Sequence, residues 1–212
     1  MWSHDYFEKI LRQNGFRTIA GVDEVGRGAL AGPVWAAAVV FDGKGDYSQF
    51  RDSKELAAPK RRVLAERIHA EALGVGFGSV SESEIDRINI LQATHQAMRE
   101  AIANLPVAPD MVLVDGFFLP GLESPCIGII GGDSRSYTIA AASIVAKVKR
   151  DAFMTSLAPQ FPCYGFDRNK GYGTASHKRA LASHGPSPYH RRTFRGVLPV
   201  QGVLPVGGMN GQ

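Results

Sequence analysis

The spacing of apolar residues divides the chain into alternating helical and extended stretches. Phe7, Ile10 and Leu11 fall at helical spacing within residues 5–12. Residues 16–22 read as a strand and 33–41 as a second one rich in Val and Ala, with a polar, glycine-containing loop over 42–52. Residues 56–72 have the pattern of a helix whose wet side carries Arg61, Arg62 and Arg67. A strand-like run follows at 73–80, and a helix over 89–105 is closed by Pro106. The short apolar runs 111–114 and 126–130 are of the kind that makes buried strands. Residues 136–157 predict a long helix, Ala-rich at first and then bearing Lys147, Lys149 and Arg150. Thr174 can cap a last helix that Gly185 and Pro186 stop after His184. This order predicts one mixed α/β domain around a central sheet.

The domain is expected to span residues 1–196. Beyond Gly196 the run Val-Leu-Pro-Val occurs at 197–200 and again at 203–206, without charge, and reads as a flexible tail. At 212 residues the chain buries roughly 70% of its unfolded surface and needs no disulfide or metal to fold. Only Cys126 and Cys163 occur, which excludes a disulfide framework and Cys-based zinc spacing; both read as core residues. The longest apolar run, 30–41, contains Gly32 and Pro33 and is too short for a membrane span, and the N-terminus lacks a secretory pattern. A soluble, cytoplasmic monomer is expected.

Charge changes the picture once it is divided along the chain. The whole carries +4, but residues 147–195 hold ten basic and two acidic residues, a net +8, leaving −4 for the rest. A basic C-terminal third beside an acidic remainder fits a polyanion partner as well as it fits a solvated basic face. His177, His184 and His190 lack metal-ligand spacing and read as part of that face. Tyr164, Phe166 and Tyr172 interleave with Arg168 and Lys170, which suits either a stacking platform for bases and sugars or a packed aromatic turn.

Candidate chemistry lies in the acids. Asp23 and Glu24 end an apolar strand and are followed by Gly26-Arg27-Gly28. Side chains alternate faces along a strand, so both acids reach one site only if the glycines let the strand turn there. Asp115 ends a second apolar run beside Gly116, and Asp133 follows a third after Gly131 and Gly132. Strand ends lying side by side build sites in open α/β sheets, and four oxygen donors without His or Cys suit Mg2+ or Mn2+. The glycine spacing matches neither a dinucleotide fingerprint nor a phosphate loop, and no nucleophile elbow occurs.

Taken together, these segments resemble the bacterial ribonuclease HII family. The resemblance rests on residues 21–34 (GVDEVGRGALAGPV), Asp52-Ser53-Lys54, 89–94, Val114-Asp115-Gly116, Gly132-Asp133-Ser134 with 139–148, Tyr164-Gly165-Phe166, Lys170-Gly171-Tyr172-Gly173-Thr174 and His190-Arg191-Arg192-Thr193-Phe194. The chain departs from the family pattern at Ala29, Phe117 and Gly132. The resemblance implies an RNase H-like fold. It implies endonuclease action on RNA–DNA hybrids and 5′ of single ribonucleotides in duplex DNA, by a two-metal-ion mechanism leaving 5′-phosphates. It assigns Asp23, Glu24, Asp115 and Asp133 to metal, the Gly26-Arg27-Gly28 backbone to the 2′-hydroxyl and Tyr172 to the adjacent deoxyribose. Ser53, Lys54, Lys170, Arg191, Arg192 and Arg27 are expected at the substrate. Alternatives are another nuclease or a transposase of the same fold, a phosphohydrolase of small esters, and a non-catalytic hybrid-binding module.

Overall fold

A computed structural model describes residues 4–50 and 57–198. Ser53 and Lys54, and the tail from residue 199, lie outside the described residues. After helix α1 (Tyr6–Gln13), strands β1 (Ile19–Val25) and β2 (Val34–Val40) form an antiparallel pair; helix α2 (Ala58–Glu71) leads to β3 (Gly74–Val80), antiparallel to β2. Helices α3 (Glu82–Ile88) and α4 (Ile90–Ala103) precede β4 (Met111–Asp115) and β5 (Cys126–Ile129). A 3-10 turn (Gly132–Ser134) leads into the long helix α5 (Tyr137–Leu157), and α6 (Phe166–Asn169) and α7 (Ala175–His184) are the last helices among the described residues. The sheet order is β3-β2-β1-β4-β5, with β4 parallel to β1 and β5 parallel to β4.

The expected strand at 16–22 sits three residues later in the structure, because β1 stays paired with β2 as far as Val25 opposite Trp35. It ends at Gly26, whose φ of +92° takes the chain out of the extended region. Both acids therefore lie within the strand. The 89–105 helix begins at Ile90: Asn89 adopts φ +69° and its side chain accepts from the N–H groups of Leu91 and Gln92. Helix α3 was absent from the pattern, although Ser81 caps it by accepting from the Glu84 N–H at 3.4 Å.

Two helices sandwich the sheet. On one face Ala93, Ala97, Met98 and Ala101 of α4 pack on Val22, Val34, Ala36, Ala38, Val112 and Val114. On the other, α5 lays Ala140, Ala141, Ile144 and Val145 against Ala37 and Val39, while Ile139 meets Ile19 and Leu113. Fully burying each branched side chain stabilises by about 1.5–3 kcal/mol. Gly21 allows the close approach of α5: a Cβ there would lie 2.1 Å from the Thr138 carbonyl carbon. This contact sets where α5 runs over β1, and so what faces Asp23.

Candidate active site

Val22 of β1 pairs with Val114 of β4, so Asp23 and Asp115 are the next residues on adjacent parallel strands and share the α5 face. Asp23 is 4% exposed; its carboxylate accepts from the Glu24 N–H at 2.7 Å and from the Ser143 side chain of α5. Burial, then the charges of Glu24 and Asp115, push its pKa well above the usual carboxylate range. Glu24 starts on the opposite face by strand alternation, yet at the end of β1 its carboxylate stays within electrostatic reach of Asp23 and Asp115, so the strand need not turn for the acids to act on one another. The Glu24 pKa is raised chiefly by burial and further by Asp115, against the lowering effect of Arg27, whose Nη1 lies 3.5 Å from Oε1. Asp115 accepts from the Gly132 N–H at 2.7 Å, which ties the 3-10 turn carrying the buried Asp133 to the end of β4. Asp133 thus sits on a turn rather than at a strand end.

Among the described residues no three His, Cys, Asp or Glu side chains close tightly enough to enclose an ion. Asp23 and Asp115 instead each direct one oxygen at a backbone N–H. The donor set still suits a hard divalent cation: it is all oxygen, partly buried, and mutually repelling until neutralised. A cavity of about 710 Å³ lined by Glu8, Arg12, Tyr47 and Tyr137 contains none of these acids.

The loop from Gly26 to Pro33 is held from beneath by two fully buried arginines. Arg150 of α5 donates to the carbonyls of Ala31, Pro33 and Lys170 at 3.0, 3.1 and 2.9 Å. Arg191 donates twice to Gly32 O, at 3.0 and 2.7 Å, and to Arg27 O at 2.9 Å. Burial drives the Arg191 pKa down to about 9, so the group remains charged at neutral pH. The expected phosphate contact by Arg191 is thus corrected: with 0% exposure its guanidinium serves backbone carbonyls. Its neighbour Arg192 is exposed and available, as are Arg27 and Gly28 at the loop tip. Lys170 is half-buried; its ammonium donates to Thr155 Oγ1 at 2.6 Å and to the Asp167 carbonyl, so it too is engaged within the protein. Ala29 donates its N–H to Gly26 O at 3.2 Å, a bond a proline at that position would lack.

The solvated reading of the histidines is corrected for two of them. His177 and His190 are buried at 0% and 2% exposure and contact each other. Tyr164 and Phe166 are also buried, stacked on each other at 5.4 Å and in edge-on or tilted contact with the two imidazoles, which makes them a packed turn rather than a platform. Tyr172 alone stays half-exposed, with Lys147 Nζ and the Arg150 guanidinium 5.5 and 5.3 Å from its ring centre. Cys126 is half-buried and packs against the core on the α4 face, whereas Cys163 is exposed and not a core residue. In the sequence Arg150 is taken only as part of the basic half of the long helix, and Ser143 is not named. Their signal was available: Ser143, Ala146, Arg150 and Met154 form one buried stripe at helical spacing.

A family model described as Ribonuclease HII matches residues 20–197. The chain belongs to the ribonuclease HII family. It is 53% identical over 191 residues to Ribonuclease HII of Geobacter metallireducens, covering 90% of each chain. It is 49% identical over 195 residues to that of Bacillus subtilis, covering 92% of this chain and 75% of the relative. The fold is similar to that of ribonuclease H2 from Pyrococcus horikoshii OT3, with a TM-score of 0.71, 25% identity and coverage of 85% and 95% of the two chains. Bst-RNase HIII in complex with Mn2+ shares the fold at a TM-score of 0.59 and 19% identity, over 81% of this chain and 71% of that one. As a member of the ribonuclease HII family the protein is a hydrolase, an RNase H-type endonuclease acting on RNA–DNA hybrids. No helix among the described residues is long and apolar enough to cross a membrane.

Proposed function

We propose that the protein cuts duplex DNA on the 5′ side of single embedded ribonucleotides, as well as the RNA strand of hybrids, with Asp23, Glu24, Asp115 and Asp133 holding divalent cations. The observation that carries the metal reading is the placement of Asp23 and Asp115 on one face of adjacent parallel strands, where Asp115 raises the cost of ionising both Asp23 and Glu24. Two bound Mg2+ or Mn2+ ions would supply Lewis-acid activation of the attacking water and stabilisation of the leaving 3′-oxygen. The remaining work falls to the chain itself. Ser143 and the N–H groups of Glu24 and Gly132 orient the carboxylates. The Gly26-Arg27-Gly28 tip, its carbonyl side fixed by Arg191, can approach the 2′-hydroxyl; at Gly28 a Cβ would meet nothing within 4 Å, so the approach is open. Tyr172 offers a ring face to the next sugar, where an added 2′-hydroxyl would crowd it. Arg27 and Arg192, both exposed, suit backbone phosphates.

The test is a labelled duplex with one ribonucleotide, incubated with and without Mg2+. Magnesium-dependent cleavage to a 5′-phosphate is expected at that position, with none in an all-DNA duplex. Cleavage of hybrids alone would remove the junction reading, and tight binding without cleavage would favour a hybrid-binding module.

A further inference from the structure

The segment Lys170–Tyr172 is fixed through three consecutive carbonyls, each by a different part of the fold. Arg150 of α5 donates to Lys170 O at 2.9 Å, and Leu30 and Ala31 of the glycine loop donate to Gly171 O at 2.8 and 3.2 Å. Tyr172 O accepts from the Thr174 N–H at 2.8 Å and contacts His177 Nδ1 at 2.9 Å. Behind His177 the contacts continue inward: His177 Nε2 to His190 Nε2 at 2.9 Å, and His190 Nδ1 to the Ser187 N–H at 2.9 Å and the Ser187 hydroxyl at 2.8 Å.

The partners at the two ends dictate every proton in this chain. A backbone N–H only donates, so His190 Nδ1 must be the lone-pair nitrogen and His190 carries its proton on Nε2. A carbonyl only accepts, so His177 must carry its proton on Nδ1, which leaves Nε2 as an acceptor. The central contact then has one direction, from His190 Nε2–H to His177 Nε2. Both rings must be neutral, since an extra proton on either would face a donor. Burial lowers the basicity of both imidazoles, in keeping with this, and the rings around them, Tyr164 and Phe166, present no charge.

We propose that Ser187, His190 and His177 form a one-directional hydrogen-bond relay that fixes the Tyr172 carbonyl, one residue beyond the Gly171 carbonyl that the glycine loop binds, making the two histidines positioning residues for recognition of the sugar beside the cut. The relay couples the basic C-terminal segment to the substrate-reading tip: the Ala31–His190 bridge and the Arg191 N–H to Leu30 O bond, 2.9 Å, run alongside it. The functional half of this inference rests on the proposed role of Tyr172. The proton arrangement does not.

Two substitutions separate a donor from a mere filler. His177→Asn places an amide N–H where Nδ1–H stands, whereas His177→Phe fills the space and donates nothing. With the full-length protein, Mg2+ and a single-ribonucleotide duplex, His177→Phe is expected to lower kcat by up to about 10²-fold, the usual effect of displacing a positioning group by about 1 Å. Duplex Kd should stay within about twofold, because phosphate contacts carry affinity. His177→Asn should recover most of the rate. Nitrogen-15 shifts of the parent should report one neutral imidazole protonated on Nδ1 and one on Nε2, assigned to His177 and His190. An Nε2-protonated His177, or a His177→Phe protein that cuts like the parent while Tyr172→Ala is impaired, overturns the relay. If Tyr172→Ala itself cuts like the parent, the Tyr172 reading falls, and the nitrogen-15 tautomers alone decide the relay. Should His177→Phe fail to fold, His177→Asn and the tautomer measurement still decide it.

Discussion

Replacing Arg191 by Met removes a buried cation and keeps most of its bulk. The parent guanidinium makes three hydrogen bonds at 2.7–3.0 Å to Gly32 O and Arg27 O, and it neighbours the buried Glu82, one of whose oxygens has no partner among the described residues. Each buried carbonyl left unsatisfied costs about 1–3 kcal/mol, and removing one partner of a buried charged set typically costs about 3–5 kcal/mol in all. For a chain of this size that corresponds to a fall in Tm of roughly 6–20 °C. The assay is urea unfolding of parent and Arg191→Met, paired with duplex binding across a salt series. The log–log salt slope should not change for Arg191→Met, because the side chain meets no solvent. It should flatten by up to about 0.9 for Arg192→Ala, which would lose one phosphate contact. A variant within about 1 kcal/mol of the parent, or one whose salt slope falls by about one phosphate, would refute the scaffold role and return Arg191 to the surface.

Asp23→Asn should abolish cleavage in Mg2+ while leaving metal-free stability unchanged or raised, since it removes a charge that burial, Glu24 and Asp115 all disfavour; near-parental turnover would remove Asp23 from the ligand set. His190 titrates at about 4 in the folded protein against 6.5 ordinarily, so the unfolded chain takes up a proton in that window that the native chain refuses. Its contribution, about 3 kcal/mol, is fully present above pH 6.5, fades as pH falls, and is gone below 4. Glu8, Asp23, Glu24 and Glu82, with raised pKa values, act in the opposite sense, so the difference between parent and His190→Gln in urea midpoint at pH 7 and pH 4.5 isolates it. Gly21→Ala should cost several kcal/mol or prevent folding, because its Cβ would meet α5 backbone at 2.1 Å; a soluble variant with parental Tm would mean that α5 can move away from β1.

Much of this molecule could be read locally. The short apolar run 111–114 put Asp115 at a strand end, the Ala-rich pattern predicted α5 to within a residue, and Thr174 does cap α7 by accepting from the His177 N–H. These are properties of neighbours in the chain, where periodicity and capping chemistry act. Which strand lies beside β1 is not such a property. The parallel pairing of β1 with β4 aligns Asp23 with Asp115, and it arises only when α4 and α5 cover the two faces of the sheet. The fate of the basic C-terminal third was likewise undetermined. Arg191 and Arg192 are adjacent and chemically alike, yet one is fully buried and the other exposed. A guanidinium leaves water only where carbonyls brought from elsewhere replace its hydration, and Gly32 O and Arg27 O come from the far end of the sequence. For His177 and His190 the end partners, Tyr172 O and the Ser187 N–H, are local in the chain, and what the fold adds is the buried contact between the two rings at 2.9 Å, which leaves neither ring a place for a second proton.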